Sequence, residues 1–414
     1  MIEKTTEIGA ICSSLIAGGY TVRFQGFSAI DIYLGLPALP FLWIETNADI
    51  AVLARHMEKL RYPGAGIADC AVDAPEGTFY FRCLDTDEGT KHSFPLLSLT
   101  YDLKSERFQD PLGIYSLLRK LRERKELLLD YSSPQQKCDS NINDSNLNIK
   151  EPWGERYRTI MEASLLLSRY GFNAGLSEND AGVPETFSSK PAPEIQRAFL
   201  CCLLVSQRPD LGLEFLKRSG LLKEIWPELA SFDDVDHSKE FHPEGNVWNH
   251  TLETFRYRKT TSSGSYDLRL SLALLLHDAG KPISASFGNH RFNGHAELGA
   301  RAAVRFMERL DFEQPLVNDI FYLVKNHMLP AALKRLPLTK TAEIMESPIF
   351  PALLELYRCD ESSSFKGLEG YYENSAAYQT YLRNLKNPYR SANGKKIGKR
   401  ELINSIKSLI YLCM

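Results

Sequence analysis

The stretch SLALLLHDAGKP, Ser271 to Pro282, ends an apolar run on a histidine and an aspartate, two side chains that are costly to bury alone. A carboxylate taken out of water must be paired, hydrogen-bonded or bound to a metal. The chain has nine histidines, and seven of them fall between residues 237 and 327. His250 sits in NVWNHTLE, His277 and Asp278 close the apolar run, His295 stands in FNGHAELGA, His327 ends FYLVKNH and Asp360 ends LLELYRCD. Any one of these histidines is as readily a core residue with hydrogen-bonded ring nitrogens. Together they ask for a common cause, and helices folded as a bundle bring such positions to one pocket. Imidazoles with carboxylates suit a divalent metal, but they do not choose among manganese, iron, nickel, cobalt and magnesium, or between one ion and two.

The elements that must present these groups are helices. From Trp153 onward, segments such as RYRTIMEASLLLSRYGF, EIQRAFLCCLLVS, NVWNHTLETFRY, LRLSLALLLHD and GARAAVRFMERL carry apolar residues at three- and four-residue spacing. Up to about residue 130 the pattern instead mixes β-type runs (YTVRFQG, PFLWIET, TFYFRCL, PLLSLTYDL) with helical stretches (ADIAVLARHMEKLR, IYSLLRKLRERKELL). Between the two lies a polar, Asn/Ser-rich segment at 131–152, too poor in apolar residues to fold alone. The end of the chain reads as a basic loop, NGKKIGKRE, leading into an amphipathic helix.

At 414 residues the chain is long enough for two or more modules, and its formal charge of -3 supplies no global basic field for nucleic acid. Eight cysteines form no CxxC pair, which fits reduced thiols in a cytoplasmic protein. The N-terminal stretch is unlike a secretory signal, and no run approaches the roughly 20 apolar residues of a membrane span.

The order His, His-Asp, His, His, Asp with HDAGK at its centre resembles the HD phosphohydrolase superfamily. FHPEGNVWNHTLE, LALLLHDAGKP, RFNGHAELGARAA and LVKNHMLP are similar to the HD domain attached to bacterial tRNA nucleotidyltransferases, the CCA-adding enzymes and poly(A) polymerase relatives. The resemblance implies that His250, His277, Asp278 and Asp360 bind a metal, that His295 and His327 can hold a second, and that Lys281 faces the substrate phosphate. Lys281 also reads as a plain cation at a helix C-terminus, Asp360 as a cap, and His242 and His290 as surface groups or neighbours of the ligands.

The implied architecture is an α+β nucleotidyltransferase-like head (1–130), the polar linker or loop (131–152), a helical neck (153–230), an all-α HD domain (231–362) and a helical basic tail (363–414). The head departs from the family where its chemistry should be. In GFSAIDIYLG, Gly26, Asp31 and Gly35 match the family's triphosphate-cradling turn, but Phe27 replaces its second glycine and Ile30 its arginine. Phe41 and Trp43 stand where two metal-binding carboxylates belong. Lys91, His92 and Ser93 replace Arg-Arg-Asp, and Glu155 is followed by Arg156 and Thr159 in place of the nucleotide-selecting aspartate and arginine.

The expected activity is therefore metal-dependent hydrolysis of a phosphomonoester, a cyclic phosphodiester or an RNA end, on a scaffold that has lost nucleotidyl transfer. Two rivals stand beside it: an RNA- or nucleotide-binding protein with a structural metal, its basic Lys395, Lys396, Lys399 and Arg400 touching phosphate, and a tRNA nucleotidyltransferase or poly(A) polymerase with relocated carboxylates. The expected partners are a phosphate-ester or nucleotide substrate and tRNA or another RNA, with no membrane.

Overall fold

The computed structural model of the chain describes residues 6–63, 68–75, 77–84, 95–128, 155–172, 190–236, 245–288, 292–364, 367–387, 390–391 and 394–396. The polar segment 131–152, the residues Lys91, His92, Ser93, His237, His242, His290, Lys399 and Arg400, and the expected last helix lie outside them. The backbone forms two compact units. One comprises Met1–Ala230, Arg258–Ser271 and Met307–Phe312, the other Ser231–Tyr257, Leu272–Phe306 and Glu313–Met414.

The first unit opens with α1 (Glu7–Ala17), whose Thr6 cap accepts the Gly9 amide. There follow β1 (Val22–Gln25), α2 (Phe27–Leu34), β2 (Phe41–Thr46), α3 (Ile50–His56), β3 (Cys70–Ala74), β4 (Gly77–Cys83), β5 (Thr100–Asp102), β6 (Arg107–Gln109) and α4 (Tyr115–Leu128). The six strands form one mixed sheet in the order β3-β4-β2-β1-β5-β6, with β2 and β4 parallel and the other pairs antiparallel. Of the expected strand PLLSLTYDL only Thr100–Asp102 pairs. Pro95–Ser98 winds into a 3₁₀ turn, consistent with a proline that has no amide to give a ladder.

From Glu155 onward every helix or strand assigned among the described residues is helical. Besides three short 3₁₀ turns, these elements are α5 (Glu155–Tyr170), α6 (Pro193–Leu204), α7 (Pro209–Arg218), α8 (Leu221–Ile225), α9 (Pro227–Ala230), α10 (Val247–Thr254), α11 (Leu268–Leu276), α12 (Gly280–Ser286), α13 (His295–Arg309), α14 (Gln314–Asn326), α15 (Leu338–Met345), α16 (Phe350–Ser362) and α17 (Glu369–Leu385). The fold is thus an α+β head followed by a helical region, as the periodicity requires.

What fixes the head is a buried ion pair. Asp31 on α2 accepts from Arg169 on α5 through two bonds, Nε to Oδ1 at 2.7 Å and Nη2 to Oδ2 at 2.8 Å, and from the Tyr170 hydroxyl at 2.8 Å. Arg169 also donates to the Pro37 carbonyl. Burial, reinforced by the Asp31 charge, pushes the Tyr170 hydroxyl well above its ordinary range, so it stays a donor. Around this pair Ala29, Ile30, Leu34, Leu96, Leu97 and Leu166 form an apolar core, and Ile30 is fully buried where the resemblance places an arginine.

Replacing Asp31 with alanine leaves the Arg169 guanidinium buried without its carboxylate and is expected to cost about 3–5 kcal/mol. The urea unfolding midpoint would report this. A loss below about 1 kcal/mol, the scale of an exposed pair, would contradict the role given to the pair.

Candidate metal centre

The helical unit gathers all six expected donors. His250 projects from the middle of α10, and Asp360 sits inside α16 instead of capping a following segment. His277 and Asp278 follow the last residue of α11, His295 is the first residue of α13, and His327 is the C-cap of α14. His250, His277, Asp278 and His327 are buried, while His295 is partly covered. Asp360 keeps about a quarter of its side-chain surface exposed.

The donor atoms form two trios, His250–His277–Asp360 and Asp278–His295–His327, each with its ligand atoms within 4.8 Å of one another. In the first, His250 Nε2 lies 3.3 Å from His277 Nε2 and 3.0 Å from Asp360 Oδ1. In the second, His295 Nε2 is 3.1 Å from His327 Nε2. Asp278 joins the two: Oδ2 stands 3.3 Å from His277 Nε2 and Oδ1 3.5 Å from His295 Nε2. Lys281 Nζ donates to Asp278 Oδ2 at 2.6 Å, so the cation expected to face substrate rests against the bridging carboxylate.

The outer nitrogens decide what this cluster wants. His277 Nδ1 faces the Leu274 carbonyl at 2.8 Å, His295 Nδ1 the Phe292 carbonyl at 2.8 Å and His327 Nδ1 the Val324 carbonyl at 2.7 Å. A carbonyl only accepts, so each Nδ1 carries the proton and each Nε2 carries a lone pair. His250 follows the same rule through Ser363, whose hydroxyl gives its hydrogen to the Asp360 carbonyl at 2.7 Å and receives His250 Nδ1 at 3.3 Å. Four Nε2 lone pairs and two carboxylates therefore converge, acceptor against acceptor. Such an array is relieved by a cation, and the donor set suits a divalent transition metal with its second ring nitrogens already tied to oxygen.

The electrostatics agree. Burial alone would raise the carboxyl of Asp278, but the Lys281 ammonium, 2.6 Å from Oδ2, holds it well below the usual range. Burial likewise works against Asp360, yet its carboxyl stays below the usual range, with about a quarter of its side-chain surface in contact with solvent. Desolvation, with His277 nearby, lowers His327 to about 4, and desolvation also lowers His295. Neutral imidazoles beside ionised carboxylates are the protonation states a metal takes as ligands.

Sequence reasoning did not find the carbonyl and hydroxyl partners, which leave no residue-type signal, nor the role of Gly280. A Cβ on Gly280 would stand 1.9 Å from the His295 carbonyl oxygen and 2.6 Å from the Gly299 amide. Only a glycine lets α12 approach the first turn of α13 that closely.

In the head, the side chains at 41, 43 and 45 share one sheet face, where Trp43 stacks on Tyr80 at 5.1 Å and Phe41 on Tyr80 at 6.2 Å. Glu45 is register partner to Arg23, which is in turn partner to Asp102 with Nε–Oδ2 at 3.8 Å. Asp73 is held by Arg61, and Asp31 by Arg169. Among the described residues, both trios able to hold a metal lie in the helical unit.

A family model described as the HD domain matches residues 247–349. A CC-adding tRNA nucleotidyltransferase of Thermus thermophilus is 33% identical over 185 residues, covering 43% of this chain and 41% of that protein. The multifunctional CCA protein of Halorhodospira halophila is 33% identical over 107 residues, or 26% of this chain and 25% of its own. The chain thus matches less than half the length of either relative. A solved structure of the Bacillus stearothermophilus CCA-adding enzyme in complex with CTP aligns over 97% of this chain and 91% of that chain, at 13% identity and a TM-score of 0.45. Among the described residues no helix is long and apolar enough to cross a membrane.

Exchange of Gly280 for alanine is expected to lower the melting temperature by overpacking worth about 1–3 kcal/mol and, by pushing the first turn of α13 away, to weaken metal retention at the Asp278–His295–His327 trio. Metal content after gel filtration checks the second effect, and wild-type content would show that His295 had not moved.

Proposed function

We propose that this chain, a member of the tRNA nucleotidyltransferase family that carries an HD domain, is a metal-dependent phosphohydrolase whose chemistry belongs to the helical unit. The observation that carries the reading is the convergence of four imidazole lone pairs on two ionised carboxylates beside a lysine. His250, His277 and Asp360 would hold one ion, and His295 and His327 a second, with Asp278 between them. Divalent ions held there supply neutralisation of phosphate oxygen charge and acidification of water.

The chain's own residues do the rest. The backbone carbonyls of residues 274, 292 and 324, with the Ser363 hydroxyl, lock each ring in the tautomer that turns its lone pair inward. Lys281, on the Oδ2 side of Asp278, is placed to exchange that contact for an oxygen of a phosphate ester. Asp278, kept ionised, is a fixed acceptor able to orient an attacking water. The substrate class follows as a phosphomonoester, a 2′,3′-cyclic phosphodiester or an RNA-end phosphate.

A second reading, nucleotidyl transfer to tRNA, is favoured by the names of the curated relatives, tRNA nucleotidyltransferase and CCA protein. Against it stand Phe41 and Trp43 in the sheet face where paired carboxylates would be needed, and the arginine partners of Asp31, Asp73 and Asp102. A two-metal transferase needs carboxylates to hold its ions. On our reading the head serves as a scaffold or as a surface for tRNA or another RNA.

Hydrolysis of 2′,3′-cyclic AMP by the full chain with added Mn²⁺, Ni²⁺, Co²⁺ or Mg²⁺ tests the proposal. Asp278→Ala is expected to lose more than about 100-fold in rate, since even outer partners of metal ligands cost 10- to 100-fold. Equal rates with and without chelator would overturn it, and labelled CTP or ATP entering a tRNA that ends before CCA would establish the second reading.

A further inference from the structure

Phe292 is one of three non-glycine residues with positive φ among the described residues, at φ 52. That region is unfavourable for a bulky side chain and is held only where the surroundings enforce it. Here two contacts run from the one residue to opposite sides of the same carboxylate. Its carbonyl oxygen accepts from the His295 backbone amide at 3.0 Å and from His295 Nδ1 at 2.8 Å, closing a turn whose Gly294 is also left-handed at φ 79. Its ring centroid lies 6.0 Å from Lys281 Nζ, within reach of a cation–π attraction. His295 faces Asp278 Oδ1 and Lys281 faces Asp278 Oδ2.

We propose that Phe292 is a positioning residue of this centre: its left-handed backbone aims the carbonyl that fixes the His295 ring, and its ring holds the Lys281 ammonium beside Asp278. The proposal rests on the phosphohydrolase reading for its catalytic half, while its metal-binding half stands apart from it. Both contacts come from a residue outside the charged set, which is why residue type alone gives no hint of it. The two roles are separable because glycine keeps the backbone conformation and removes the ring, whereas valine, β-branched, resists positive φ.

The test uses the full chain with Mn²⁺ as the probe ion and 2′,3′-cyclic AMP as substrate, with circular dichroism to show that each variant is folded. Phe292→Gly is expected to bind the same Mn²⁺ equivalents as wild type while KM rises about 5-fold at nearly constant kcat, the size of a lost cation–π contact to a phosphate-binding cation. Phe292→Val is expected to weaken one Mn²⁺ equivalent about 10- to 100-fold, as loss of a partner to a metal-bound histidine does. Phe292→Tyr, which keeps the ring, should restore the wild-type KM. Should Phe292→Val not fold, the contrast of KM between Phe292→Gly and Phe292→Tyr still decides the role of the ring.

Wild-type Mn²⁺ binding in Phe292→Val, or wild-type KM in Phe292→Gly, would overturn the proposal. If the wild-type chain binds Mn²⁺ and hydrolyses nothing, the phosphohydrolase reading falls, and the Mn²⁺ affinity of Phe292→Val alone then decides the carbonyl's role.

Discussion

A carboxylate buried between four inward-facing imidazoles governs the helical unit. Asp278 is almost fully removed from water, yet it stays ionised because the Lys281 ammonium faces it. Burial of that charge is tolerable only while a cation faces it, which Lys281 supplies and an ion held among His250, His277, His295, His327 and Asp360 would reinforce. The helix ends supply the means: the side chains of His277, His295 and His327 each fold back to the carbonyl three residues earlier, leaving Nε2 to point inward. The close approach at Gly280 completes the arrangement by letting α12 meet the first turn of α13.

The head solves the opposite problem. Three of its carboxylates face arginines: Asp31 on Arg169, Asp73 on Arg61, Asp102 beside Arg23. An acidic residue so paired is a poor ligand for a further cation, because its charge and lone pairs are already engaged. Where the resemblance places the metal-binding carboxylates, aromatic rings stack instead, and where it places a phosphate-binding arginine, Ile30 joins the apolar core. On the proposed reading this packing keeps the fold of the head without requiring a site there.

The six candidate donors were legible in the sequence because imidazole and carboxylate are rare enough on apolar helices that seven histidines in one window demand a cause. Helix spacing likewise announced the fold from residue 155 onward. Other features were not legible, for physical reasons. The Asp31–Arg169 pair joins residues 138 apart, and no local pattern reports such a partner. The carbonyls that set the histidine tautomers belong to leucine, phenylalanine and valine, whose side chains say nothing of their backbone oxygens. Phe292 looks like any aromatic until its φ is seen. Short elements failed for their own reasons: PLLSLTYDL reads as one strand, but a proline at its start and buried leucines turn its first half into a 3₁₀ turn.

The most direct test of the account is equilibrium dialysis of the chelator-stripped full chain against Mn²⁺, read by the spectroscopic signal of free ion, with hydrolysis of 2′,3′-cyclic AMP followed on the same samples. The account predicts saturable binding of one or two equivalents, activity rising in step with occupancy, and loss of both when His277 and Asp278 are replaced by alanine. A chain that binds no ion, or whose hydrolysis is complete before any ion is bound, would contradict it.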